Sequence, residues 1–314
     1  MKHRLARRIP PIRRLVDQRD ALGARVKVLE LQIDAQRSGN GTEQGIPRRF
    51  SAATDLDEVW SRRDKIFAVP ETLPEIDLHG EEQLELVDTL SPFARNAALC
   101  ETPTPGHRYS FDNDFFTYGD GVVLHAMLRW LRPRRLVEIG SGHSSALILD
   151  TNERYLDNTL RCTFVEPHPD RLLGLLSDKD RATTEILVSP LQDVDLSFLD
   201  ELEPGDVFFV DSSHISRIGS DVNQLVFEVL PRITRGVFVH FHDIFYPFEY
   251  PEVWVAEGRG WNEAYLLRAY LQSNHGYRIR LWNSYLAAFH ASEVSSKLPD
   301  WGRNSGGSMW LERV

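Results

Sequence analysis

Two short runs gather the side chains best suited to chemistry. One is Val210-Asp211-Ser212-Ser213-His214, the other His240-Phe241-His242-Asp243-Ile244. Each begins as a hydrophobic, strand-like stretch and closes on carboxylate and imidazole. If both are neighbouring strand ends, Asp211, His214, His242 and Asp243 meet on one rim. Such a set can ligate a divalent cation, or accept and return a proton near neutral pH. Read singly, each residue has a plainer use: Asp211 can cap the segment after it, and His214 can be a hydrogen-bonded surface histidine. Finding both at one strand end favours chemistry. His240 shares alternation parity with His242 but lies deeper, as a packing residue, and Asp221 reads as a helix cap.

A third run, Leu136-Val137-Glu138-Ile139-Gly140-Ser141-Gly142-His143-Ser144-Ser145, is a buried strand ending in an acid, two glycines, and small residues opening a helix. The glycines let the backbone turn sharply and approach a nucleotide-type ligand, while Glu138 is placed to hold a cationic amino acid moiety. The dinucleotide fingerprint is incomplete, because Ser145 stands where its third glycine would be. The following strand closes as Phe164-Val165-Glu166-Pro167, where a carboxylate can accept both hydroxyls of a ribose or cap the next helix. Gln192 and Asp193 follow a third strand and can reach an adenine, or form an ordinary polar loop.

These runs need elements to position them. Strands are expected at Arg135–Ile139, Cys162–Glu166, Glu185–Val188, Val207–Asp211 and Val237–Phe241, with helices near Ser144–Glu153, Pro169–Leu176 and Val222–Leu230. Tyr277–Leu281 and Ser308–Leu311 add two strands, after a helix at Asn262–Leu271. The alternation predicts an α/β fold with a doubly wound, mostly parallel seven-stranded sheet over residues 111–314. Ahead of it, 47–110 reads as a mostly helical segment interrupted by prolines, and 38–46 as a linker. Residues 1–37 read as an amphipathic helix whose Ile12, Leu15, Leu22, Val26, Leu29 and Ile33 form a short coiled-coil seam.

Over residues 111–314, the Glu-x-Gly-x-Gly loop with Glu166 resembles class I S-adenosylmethionine-dependent methyltransferases. The resemblance implies that Gly140, Ser141 and Gly142 pass the methionine part of the cofactor, with Glu138 near its amino group. It also implies that Glu166 binds the ribose, and that Gln192 and Asp193 lie by the adenine. The Asp211-x-x-His214 run followed by an acidic fifth-strand end is similar to macrocin-type and, more distantly, catechol-type metal-dependent O-methyltransferases. Carried over, Asp211 and Asp243 are ligands of magnesium or manganese and His214 is the general base. His242 joins the metal set where those relatives have a carboxylate. With the aromatic loop Phe245, Tyr246, Phe248, Tyr250 and Trp254, and the closing Gly306-Gly307-Ser308-Met309-Trp310, the chain also resembles a bacterial family associated with polysaccharide genes. A sugar hydroxyl of a glycan or glycosylated metabolite is the acceptor so implied. An NAD(P)-linked oxidoreductase and a non-catalytic scaffold are the alternatives.

Composition narrows the setting. The 314 residues carry a formal charge of −10, and 42% are hydrophobic, enough for a real core. Residues 1–40 hold ten Lys/Arg against four Asp/Glu, which leaves the remainder at −16. So acidic a body is a poor partner for nucleic acid, whereas the basic head suits weak contact with an anionic membrane surface or another protein. The seam predicts a homo-oligomer. Two cysteines, no signal-peptide core and no apolar run long enough to span a bilayer predict a cytoplasmic protein.

Overall fold

The computed structural model describes residues 54–314 and helical positions scattered between Leu22 and Glu30. The described residues fall into two compact units: those up to Ala68 with Tyr250–Gly260, and Val69–Glu249 with Trp261–Val314. In the first, α1 (Leu56–Ser61) is capped by Asp55, which accepts the N–H groups of Asp57 and Glu58. After α2 (Arg63–Ile66), the Arg63 fork grips the Glu252 carboxylate at 2.9 and 2.6 Å. The seam positions Leu22, Val26 and Leu29 are helical and exposed. Ile12, Leu15 and Ile33, and the linker 38–46, lie outside the described residues.

The second unit carries the sheet. In chain order its elements are α3 (Gly80–Arg95), α4 (Tyr118–Leu131), β1 (Arg135–Ile139), α5 (His143–Tyr155), β2 (Arg161–Val165), α6 (Asp170–Leu175), α7 (Asp178–Thr183), β3 (Glu185–Leu187), β4 (Val207–Val210), α8 (Asp221–Gln224, continued by a π turn) and β5 (Phe238–Phe241). In the first unit α9 (Glu252–Ala256) intervenes, and the sheet unit resumes with α10 (Glu263–Leu271), β6 (Tyr277–Trp282), α11 (Asn283–Phe289), α12 (Ala291–Lys297) and β7 (Met309–Arg313). The strand order is β3-β2-β1-β4-β5-β7-β6, with β7 antiparallel to both of its neighbours and the rest parallel. The doubly wound seven-stranded sheet is thus present. Each residue of β4 and β5 is buried, as strands covered on both faces must be.

The expected boundary at 110/111 moves to 68/69. Helix α3 buries Gln83, Leu86, Val87 and Leu90, a stripe with helical spacing. The Gln83 side-chain carbonyl accepts the N–H of Trp282 at 2.7 Å, so α3 is part of the sheet unit rather than of a separate segment. Helix α4 is buried continuously from Gly119 to Leu128 and therefore shows no amphipathic stripe in the sequence. Among the described residues no helix is long and apolar enough to cross a membrane.

Candidate functional site

The glycine loop is built on one close approach. Gly140 has φ +79°, and a Cβ there would lie 1.8 Å from the carbonyl oxygen of Asp211. Only glycine fits, and its fit brings the end of β1 against the end of β4. Two ladder bonds continue past the strands: Gly140 N–H to Val165 O, and Asp211 N–H to Ile139 O. The Ser145 hydroxyl, in the place of the missing third glycine, accepts the Gly142 N–H at 3.0 Å.

Glu138 lies beneath this loop, fully buried, with Ser144 and Ser145 hydroxyls donating to its two oxygens. Burial pushes its carboxyl up to about 8, which the hydroxyls offset only in part. With both oxygens engaged by the serines that open α5, Glu138 braces the turn. Glu166 faces the rim. One of its oxygens accepts the Ser141 N–H at 2.9 Å and the other the His168 N–H at 2.7 Å, and a carboxylate with about four acceptor sites has capacity left for a diol. Gln192 and Asp193 form an exposed 3-10 turn after β3, with the Gln192 amide donating to Gly219 O. The bare glycine cradle and half-buried Glu166 fit an S-adenosyl group.

The ends of β4 and β5 converge as the sequence predicts. His214 is buried with φ +58°, and its Nδ1 lies 2.9 Å from Glu263 Oε2. Its Nε2 lies 3.4 Å from Asp211 Oδ1 and 3.8 Å from Asp243 Oδ2. Glu263 is 1% exposed, and its other oxygen accepts the Ser212 hydroxyl at 2.8 Å. Asp221 accepts the N–H and hydroxyl of Ser213, while Ser220 rather than Asp221 caps α8.

His242 sits between three acids. Its Nδ1 is 3.4 Å from Asp211 and 3.6 Å from Asp243, and its Nε2 is 3.5 Å from Asp120. Strand alternation would send His242 and Asp243 to opposite sides, but β5 ends at Phe241 and Asp243 takes φ +59°, which brings both to Asp211. Asp120 also accepts the Ser308 N–H and hydroxyl and the Gly307 N–H. His240 is the packing residue expected, stacked on Phe209 and bonded to the Ser308 hydroxyl.

This is a charge cluster with its own counter-ions. Burial alone would strip the proton from His214, but hydrogen bonds with Asp211 and Glu263 prevail and hold it at about 10. His242 is likewise raised against its burial, by the charges of Asp243 and Asp211. Burial works the other way on Asp211, yet the two imidazoles hold that carboxyl well below its usual range. Burial raises Asp243. The Asp211 side chain keeps 33% exposure against 7% for either histidine, so of the three it is the one that reaches the surface.

The metal set expected at Asp211, His242 and Asp243 does not fit this arrangement. His214 Nε2 and His242 Nδ1 each lie 3.4 Å from the same Asp211 oxygen, an ion-pair arrangement that leaves that carboxylate between two rings. Among the described residues no group of three or more His, Cys, Asp or Glu could hold a metal ion.

The aromatic loop divides. Tyr246 and Phe248 are buried against Trp282, and Tyr246 also against Tyr285 and Phe289, so they plug the sheet edge instead of walling a pocket. Tyr250 and Trp254 belong to the other unit. The half-buried Trp261 stands by the site, its ring 4.3 Å from that of His214. Glu263, Trp261 and Asp120 are the site residues that reading the sequence missed. Glu263 lies 49 positions from the histidine it holds, and no local pattern marks such a pair.

Residues 137–244 match the family described as a methyltransferase domain. An uncharacterized protein of Archaeoglobus fulgidus is 33% identical over 160 residues, spanning 49% of this chain and 71% of that protein. The chain is also similar to two solved structures. One is the S-adenosylhomocysteine-bound methyltransferase PaMTH1 of Podospora anserina, with 14% identity, 87% and 99% of the two chains covered and a TM-score of 0.39. The other is the O-methyltransferase TomG of Streptomyces achromogenes, with 15% identity, 83% and 96% covered and a TM-score of 0.38.

Proposed function

We propose that the chain, in which residues 137–244 match a methyltransferase domain, is an S-adenosylmethionine-dependent methyltransferase whose acceptor is a hydroxyl carried on a sugar. One observation supports this above the others: the His214 ring, fixed from behind by Glu263, turns its second nitrogen toward two carboxylates at the rim beside the glycine loop. An acceptor hydroxyl is a weak nucleophile and must lose its proton as the methyl group transfers. Asp211, the more exposed carboxylate, accepts a hydrogen bond from a neighbouring hydroxyl of the sugar and so points the reacting hydroxyl at His214. His214 Nε2 takes the proton. Trp261, beside that ring, offers an aromatic face to the C–H face of a sugar.

S-adenosylmethionine, when bound, supplies the electrophilic methyl group on a sulfonium. Glu166 holds its ribose, and the Gly140 to Gly142 backbone passes its methionyl part. A positive charge near Asp211 and Asp243 also competes with the His214 proton for those carboxylates, lowering the histidine's pKa. The base is thus freed when the methyl donor is in place.

The test is transfer of a labelled methyl group to a panel of glycosides, phenols, amines and carboxylic acids. The expected product is an alkali-stable ether on a glycoside. Transfer to amines alone would sink the hydroxyl reading, and transfer to phenols alone would remove the sugar.

A further inference from the structure

Over the glycine loop lies a layered stack that the reaction as described does not use. The Arg171 side chain runs along Gly142, its Cδ 3.1 Å from where a Cβ on that glycine would be. Its guanidinium carbon lies 3.7 Å from the centroid of the Phe115 ring. Phe115 stacks in turn on His143, with centroids 5.9 Å apart and planes 12° apart. The loop that presents Phe115 is itself fixed, because Asn113 Oδ1 accepts the N–H groups of both Phe115 and Phe116. Yet the Phe115 ring is 54% exposed.

Arg63, Arg108 and Arg303 each engage carboxylates. Arg171, on an acidic chain, makes no ion pair among the described residues and rests on an aromatic face. Glu138, meanwhile, is fully buried, with both of its oxygens engaged by serine hydroxyls. A bare glycine beside an unpaired guanidinium suits the carboxylate at the amino acid end of the cofactor, since the fork can meet both of its oxygens.

Resting on the S-adenosylmethionine reading, we propose that Arg171 binds the methionyl carboxylate, with Phe115 holding the guanidinium in place across Gly142. Phe115 and Arg171 thereby select for a carboxylate-bearing cofactor. The measurement is calorimetric titration with S-adenosylmethionine and with its decarboxylated form. Arg171→Gln should weaken the first by about tenfold or more and change the second by less than about twofold. Phe115→Ala should give a smaller loss in the same sense. Equal losses for both ligands, or no loss for either, in a folded variant would overturn the assignment of Arg171 alone. A wild-type chain that binds neither ligand would overturn the cofactor reading and this inference with it.

Discussion

The two halves of the sheet's rim solve opposite problems with the same residue type. At β1 and β2 the acids are kept apart: Glu138 is buried under serine hydroxyls and Glu166 is tied to backbone N–H groups. At β4 and β5 the acids are crowded, with Asp120, Asp211, Asp243 and Glu263 ranged around two imidazoles. The first half presents a quiet, shaped surface on which backbone does the binding. The second stores charge in fixed positions, which is what a step that moves a proton needs.

His214→Gln should break the division most sharply. Methyl transfer should fall by about a hundredfold to ten-thousandfold while cofactor affinity holds, read from kcat alongside calorimetry. A variant that keeps its rate would leave His214 a structural ion. Glu166→Ala should do the reverse, weakening S-adenosylmethionine by about tenfold in a protein that still folds. An unchanged Kd would mark Glu166 as a helix cap only.

Glu263→Gln sharpens the second half. With His214 held at about 10 in the free chain, kcat/KM for the cofactor should rise with pH through that value as the imidazole loses its proton. Hydrogen bonding and charge from Glu263 favour the protonated ring, so their loss should move the rising limb to lower pH. A limb that stays in place would assign it to another group.

Glu138→Gln should have the smallest effect on the cofactor, within about twofold, because its side chain is spent beneath the loop. Its effect on stability should depend on pH. The folded chain keeps a proton on Glu138 up to about 8, against 4.5 ordinarily, so the wild type gains stability at low pH and loses it as pH rises through that window. Melting curves of the variant should lack this part of the decline. Parallel curves for both proteins would show that the carboxyl ionises freely.

The sheet was legible because its strands are short, apolar and punctuated by glycine or acid, and the site was legible wherever chemistry sat at a strand end. Asp211, His214, His242 and Asp243 do meet, as their placement predicts. Their relations were not legible. Alternation fails at Asp243 because a left-handed residue follows the strand, a feature of backbone conformation that its identity does not announce. Glu138 has the sequence position of a ligand contact and the surroundings of a buried acid. Glu263 and Asp120 enter from α10 and α4, which only the packed fold brings alongside. The metal expectation rests on the same kind of information: donor types are written in the chain, but who is paired with whom is not.

Strand β7 enters the sheet between β5 and β6, although it is the last of the seven to be made. Its approach carries Gly307 and Ser308 onto Asp120, and Asp120 onto His242. A chain emerging from the ribosome therefore has the glycine loop, which rests on Asp211, about a hundred residues before Ser308 reaches the proposed catalytic rim. During synthesis, the half that binds is available well ahead of the half that reacts.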